Sequence, residues 1–137
     1  MSNKFSRFAL PVIAAVALAF GVATILSGGR VLFGDAAARA AAGHYVPFVV
    51  WFNFLAGFAY IVGAVGLALR RAWAARIALV IAAATALVFL IFGLLVLAGQ
   101  PFESRTVAAM ILRTTLWTGI AWFACRSLGG CMRRPSD

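Results

Sequence analysis

Four long stretches of the chain are apolar and almost free of charge. Residues 8–29, 45–69 and 77–102 carry no charged side chain, and residues 106–125 carry only Arg113. A helix crosses the hydrocarbon core of a bilayer with about 20 mostly apolar residues. The stretches are rich in Ala and Leu and lack the alternation of membrane β-strands, so they favour helices. The sequence predicts an all-α integral membrane protein, a four-transmembrane-helix bundle in one domain (1–137), with spans at about 8–28, 46–69, 75–98 and 106–125.

The first of these stretches also has features of a cleaved signal peptide, because it follows basic residues and contains the small residues Gly21 and Ala23. Its apolar core continues through Leu26 and is longer than the roughly 7–15 residues of a signal sequence. We therefore expect it to be retained as a transmembrane helix.

Basic residues are distributed unequally between the two ends of the predicted bundle. Eight of them flank one end and three flank the other, and loops rich in Lys and Arg stay on the cytoplasmic side. Both termini are therefore predicted to be cytoplasmic, with residues 28–45 and 100–105 facing outward. The eight are Lys4, Arg7, Arg70, Arg71, Arg76, Arg126, Arg133 and Arg134; the three are Arg30, Arg39 and Arg105.

The first outward loop has the signals of a short interfacial helix. Asp35 is a good N-cap, seven residues of Ala and Arg follow it, and Gly43 is a good C-terminal stop. A helix over residues 36–42 is predicted, and Pro47 fits the first turn of the second span.

Composition limits the functions that this chain can have. The 137 residues are 65% hydrophobic and 11% charged, which excludes a water-soluble domain and makes a lipid bilayer the surrounding medium. The net charge of +9 does not indicate nucleic-acid binding, because the basic residues cluster at helix ends. We expect location in a bacterial inner membrane.

Arg113 is the one charged residue inside a predicted span, seven residues into the last helix. It either snorkels to the outer interface or makes a buried polar contact. Asn53 is placed at a similar depth on the second span and can accept from its guanidinium, while Trp117, four residues further along, can offer a ring face. Tyr60 lies on the same face as Asn53. With His44, these residues are predicted to form a ligand-binding pocket that opens outward; packing without a ligand is the alternative.

Other polar residues lie on the same predicted side of the membrane. His44 is the only histidine, and with Asp35 and Glu103 it suggests a metal site; a loop histidine at headgroup level is the simpler interpretation, so no metal site is predicted. The outward polar cluster consists of Asp35, Arg39, Glu103 and Arg105.

Cys125 and Cys131 lie at the predicted cytoplasmic end of the last helix. Their spacing matches no zinc motif, and the cytosol is reducing, so we expect free thiols rather than a structural disulfide.

Four features of the chain occur together: its length, Gly28-Gly29-Arg30 at the end of the first span, the outward helix, and residues 63–67 followed by Arg70-Arg71. In these features the chain resembles the DoxX-like family of small four-helix bacterial membrane proteins. The acidic residue usual in that family's second span has no counterpart, and Asn53 is the nearest polar residue. The resemblance implies an accessory subunit of a quinol-linked or thiol-oxidative-stress membrane complex.

Small residues recur at four-residue spacing and predict close helix packing: Ala15/Ala19/Ala23, Ala78/Ala82/Ala86 and Ala59/Gly63. No paired carboxylates, phosphate loop or nucleophile–base pair is visible, so catalytic residues are not predicted. The first hypothesis is a non-catalytic accessory or structural subunit that assembles with other membrane subunits or with itself. The alternatives are an outward-facing protein that binds a small ligand, a quinone or a metal, and a small-solute or metal-ion transporter acting as an oligomer. The sequence does not identify a cofactor, and a quinone is the one candidate.

Overall fold

The computed structural model describes residues 2–131, and within them it contains five helices and no strand. The helices are α1 (Ser2–Phe33), α2 (Ala36–Ala42), α3 (Pro47–Ala68), α4 (Ala72–Leu97) and α5 (Ser104–Leu128). All except α2 are long and apolar enough to span a membrane. The predicted all-α fold with four transmembrane helices is therefore confirmed. Arg133 and Arg134, which contribute to the predicted orientation, lie outside the described residues.

Helix α1 is longer than its apolar core, because it continues through Pro11 at its start and through Gly28-Gly29 as far as Phe33. Its first turns carry Lys4 and Arg7, whose exposed side chains suit the headgroup region. Pro11 lies inside α1 and has no N–H to donate to the carbonyl of Arg7, four residues earlier. That carbonyl instead accepts a hydrogen bond from Arg70 Nη2 at 2.9 Å.

Helix α2 has the predicted bounds, set by its caps. Asp35 Oδ1 accepts from the Ala38 N–H at 2.9 Å, and Gly43 ends the helix with φ +68°. We call the end that carries α2 and the α4–α5 loop the α2 end. The opposite end, with the start of α1 and the α3–α4 turn, is the N-terminal end.

The ends of α3 and α4 have the same hydrogen-bond pattern. Arg71 N–H donates to Gly66 O and Arg70 N–H to Leu67 O; Gln100 N–H donates to Leu95 O and Gly99 N–H to Val96 O. Both are Schellman motifs, whose central residue adopts a left-handed conformation. Gly99 suits that position with φ +95°, but at the end of α3 it is occupied by Arg70 with φ +54°.

The helices pack in the order α1, α3, α4, α5, and α1 meets α5 at only a few positions. The α1–α3 contact runs through Gly21 and Gly57, since a Cβ on Gly57 would lie 2.6 Å from Ile25 Cγ1. The expected role of Ala15, Ala19 and Ala23 in packing is wrong for this bundle, because these three residues are exposed. Their row lies on the face of α1 that points away from α3. Of the row at Ala78, Ala82 and Ala86, the first two are buried and Ala86 is exposed.

The core fills the interior with aromatic and small side chains. Tyr60 and Trp117 are fully buried, and their ring centroids lie 4.8 Å apart. A smaller apolar cluster lies toward the α2 end, built around Val46, Val49, Val88, Phe92 and Met110. The bundle is thus solid at mid-depth.

Cys125 and Cys131 form a disulfide, which contradicts the expectation of free thiols. Gly129 takes a left-handed conformation after α5, so the chain turns back and brings the two Cα atoms to 5.2 Å. A reducing cytosol disfavours a disulfide, but the fold-back at Gly129 holds the two cysteines within bonding distance.

Candidate functional site

A cleft of about 220 Å³ opens at the α2 end between α1, α3 and α5. Helices α1 and α5, which form two of its walls, contact each other at only a few positions. Eight of its fifteen lining residues are polar, so it is more polar than the mostly apolar pockets typical of small-molecule sites. The polar lining residues are Thr24, Ser27, Tyr45, Asn53, Glu103, Arg105, Thr106 and Arg113.

Arg113 reaches the cleft from α5 and is buried, with 8% of its surface exposed. The side chain is therefore buried in the bundle, but its Nε makes no hydrogen bond within the described residues. The guanidinium carbon lies 5.8 Å from the centroid of the Phe20 ring, within the range of a cation–π contact. The expected partner Trp117 is not the ring it faces, because Phe20 on α1 occupies that position.

Asn53 also lines the cleft, as its predicted depth requires. However, Asn53 Oδ1 is buried and accepts no hydrogen bond, and Arg113 Nε is buried and donates none within residues 2–131. The predicted hydrogen bond between the two side chains is not formed. An unpartnered buried polar atom costs about 1–3 kcal/mol. Two such atoms belong to residues that line the cleft, and three more belong to Tyr60, Thr85 and Trp117, which do not line it.

Tyr60 and Trp117 lie below the cleft instead of lining it. The Tyr60 ring stacks on Phe20, with centroids 5.9 Å apart, and on Trp117. Its hydroxyl lies near Thr85 and Arg113 without hydrogen-bond geometry to either. These rings fill the interior of the bundle beneath Arg113 and form the floor of the cleft.

The mouth of the cleft is formed by the start of α5. Glu103 Oε1 accepts from the backbone N–H of His44 at 2.9 Å, and Arg105 Nη2 donates to Ala41 O at 3.0 Å. These contacts join the α4–α5 loop to the end of α2. The His44 side chain is exposed and is absent from the lining.

The four residues of the expected outward polar cluster lie in two separate places. Glu103 and Arg105 line the cleft, whereas Asp35 caps α2 and Arg39 is exposed on that helix. Two arginines and one carboxylate therefore line the cleft, which gives it a formal charge of +1.

Residues of α1 complete the cleft and were not predicted. Phe20, Thr24 and Ser27 project from the same face of α1 at spacings of four and three residues. Thr24 is buried, and Ser27 Oγ donates to Thr24 O at 3.2 Å. The signal in the sequence was these two hydroxyls in an otherwise apolar span.

The arrangement suits a ligand with oxygen atoms. Arg113 supplies N–H donors, Asn53 supplies an acceptor, and the positive charge disfavours a cation. Within residues 2–131, no group of three or more His, Cys, Asp or Glu side chains is placed to hold a metal ion.

The sequence matches no protein-family model, no curated protein and no solved structure. The resemblance to the DoxX-like family therefore stays a prediction.

Proposed function

We propose that this multi-pass membrane protein binds the head ring of a quinone in the cleft at the α2 end. The observation that carries the proposal is the buried pair of an unpartnered donor at Arg113 and an unpartnered acceptor at Asn53 beside one cleft. In this proposal a quinone carbonyl accepts from an N–H of the Arg113 guanidinium. The Asn53 side chain, whose Oδ1 is buried in the structure, must rotate toward the cleft for that oxygen to accept from the hydroxyl of the reduced quinol. The same two residues therefore serve both redox forms.

The size of the cleft supports a small headgroup. Its volume of about 220 Å³ is below the range of about 300–1,000 Å³ for drug-sized ligands. A single ring fits this space, and the isoprenoid tail of a quinone stays in the surrounding lipid. In this proposal the α2 end faces outward from a bacterial inner membrane.

The test is the binding of a short-chain ubiquinone to the purified chain in detergent, followed through tryptophan fluorescence. Trp117 lies one helical turn below Arg113, so a bound quinone is expected to quench it saturably. Arg113→Gln and Asn53→Ala should each weaken binding about tenfold, the effect of one charged or buried hydrogen bond. Arg39→Gln is the matched control, because Arg39 is exposed on α2 outside the cleft. Equal affinity in all variants would refute the proposal.

The second candidate function is the accessory subunit of a larger membrane complex. It is favoured by a ladder of edge-to-face aromatic rings on α1 and α3, which leaves Phe33 66%, Trp51 45% and Phe58 49% exposed. Aromatic residues are enriched in protein–protein interfaces. A partner subunit should copurify after extraction in mild detergent, and Trp51→Ala with Phe58→Ala should release it. A chain that stays alone and monodisperse would count against this function.

A transporter is less well supported by this conformation. Tyr60 and Trp117 fill the bundle below the cleft, so a solute entering it meets a closed floor. An oligomer would have to provide a pathway between chains.

A further inference from the structure

A second crevice lies at the N-terminal end, on the opposite side of the bundle from the cleft. It has a volume of about 530 Å³ and lies between the first turns of α1 and the last turn of α5. Its residues fall into three chemical groups. The basic ones are Lys4, Arg7 and Arg70, the hydroxyls are Ser6 and Ser127, and the apolar ones are Leu10 and Leu128.

No carboxylate of the described residues balances this charge. The chain has three acidic residues, and Asp35 and Glu103 lie at the α2 end. The third, Asp137, lies outside the described residues. Three cations from two segments of the chain therefore face one crevice with hydroxyl donors beside them.

Arg70 occupies a position where the backbone favours glycine. A left-handed conformation costs a non-glycine residue about 1–2 kcal/mol, and the equivalent position after α4 is Gly99. Despite this cost, Arg70 stands at the position, and its side chain extends to α1. There Nη2 donates to the Arg7 carbonyl, which has no helical donor because Pro11 lacks an N–H. The guanidinium is thereby held at the crevice by one N–H, and its other N–H groups are free of that contact.

We propose that this crevice binds a phosphate oxyanion, presented by the headgroup of an anionic phospholipid. A fixed guanidinium, two further cations and two hydroxyls match the oxygens of a phosphate group. Basic pockets at the ends of transmembrane helices bind anionic lipid headgroups in this way. Leu128 is partly exposed and offers an apolar surface beside the charges, which favours a lipid, with its glycerol and acyl chains, over a free ion.

The experiment compares lipid retention by the full-length chain in native mass spectrometry. The protein is extracted in detergent and equilibrated with phosphatidylglycerol or with phosphatidylcholine. Phosphatidylglycerol should be retained preferentially, because the choline ammonium of the other lipid is repelled by the crevice. Arg70→Gly should lower this retention about tenfold or more, since it removes a charged hydrogen-bond donor.

The Arg70→Gly variant keeps the fold testable, because glycine adopts the left-handed conformation without strain. Its melting temperature in phosphatidylcholine should be close to that of the wild type, which separates lost binding from lost structure. Arg76→Gln is the matched control: Arg76 lies at the same end but borders a different depression between α3 and α4. Retention by Arg76→Gln should stay within about twofold of the wild type.

The remaining outcomes identify the source of the phosphate or reject the site. If inorganic phosphate alone binds the wild type but not Arg70→Gly, and the two lipids are retained equally, the oxyanion site stands and its occupant is the free ion. If neither phosphate nor phosphatidylglycerol distinguishes the wild type from Arg70→Gly, the proposal is wrong. An equal loss in Arg76→Gln would also overturn it, because general surface charge would then explain the binding.

Discussion

The Tyr60 ring packs against the Trp117 indole with a centroid distance of 4.8 Å, and both side chains are fully buried. One residue belongs to α3 and the other to α5, at equal distances from the starts of their helices. This pair separates the polar cleft above it from the Ala-rich core below. It makes the cleft a pocket with a floor rather than a passage.

The first prediction concerns this floor. Trp117→Ala removes a fully buried aromatic side chain and should destabilise the protein by about 3–5 kcal/mol. Trp122→Ala is the control, because Trp122 is 60% exposed, and its ring centroid lies 4.8 Å from the guanidinium carbon of Arg126. That variant should lose no more than about 1 kcal/mol. Thermal unfolding in detergent measures both, and similar losses would contradict the central role of Trp117.

The second prediction concerns the contact between α1 and α3. Gly57→Ala places a methyl group 2.6 Å from Ile25 Cγ1 and 3.1 Å from Gly21 O. The two helices must move apart, at a cost of about 1–3 kcal/mol. Gly93→Ala meets nothing within 4 Å and should instead stabilise α4 by up to about 1 kcal/mol. Unfolding in denaturant should give opposite signs for the two variants, and the same sign in both would argue against close packing at Gly57.

The third prediction concerns the mouth of the cleft. Gly43→Ala combines a strained backbone at φ +68° with a collision between the new methyl group and the Glu103 carboxylate. The hydrogen bond from the His44 N–H to Glu103 should be lost, and hydrogen exchange at that amide should accelerate. Gly99→Ala is the control, since it has φ +95° but no neighbour within 4 Å. Gly99→Ala should leave hydrogen exchange at the His44 amide unchanged. Faster exchange in this control would show that backbone strain, and not the collision with Glu103, causes the effect.

The fourth prediction concerns the disulfide at the end of α5. In protein purified with a thiol-blocking reagent present throughout, Cys125 and Cys131 should resist alkylation until a reductant is added. The mass increase of two alkyl groups after reduction reports the bond directly. Alkylation of both thiols without reduction would show that the expectation from the reducing cytosol holds in the cell.

The fifth prediction concerns orientation. In a background with Cys125→Ser and Cys131→Ser, Ala37→Cys on α2 should react with an impermeant maleimide added to intact cells. Leu69→Cys, in the α3–α4 turn, should react only after the membrane is opened. The excess of basic residues at the N-terminal end is the physical reason. The reverse pattern would place the cleft on the cytoplasmic side.

Much of the candidate site follows from depth along the helices. Asn53 and Arg113 line the same cleft because α3 and α5 run in the same direction and both residues lie within the first turns of their helices. Tyr60 and Trp117 meet for the same reason, one or two turns deeper. Their detailed partners did not follow, because Phe20, Thr24 and Ser27 reach the site from α1. The periodicity of apolar residues identifies the buried face of a helix. It does not identify the neighbouring helix that this face contacts.

The sequence by itself determined the four membrane-spanning helices, the bounds of α2 and the positions of the polar residues along each span. These depend on local signals, namely apolar length, caps and glycine stops, which act within one segment of chain. Only the tertiary structure decided that Arg113 is buried beside Phe20, that Gly57 rather than the Ala15 row joins α1 to α3, and that Arg70 reaches the Arg7 carbonyl. Each of these depends on how helices rotate and pack against one another in three dimensions. The rotation of each helix follows from close packing between segments far apart in the chain, and no single segment encodes it.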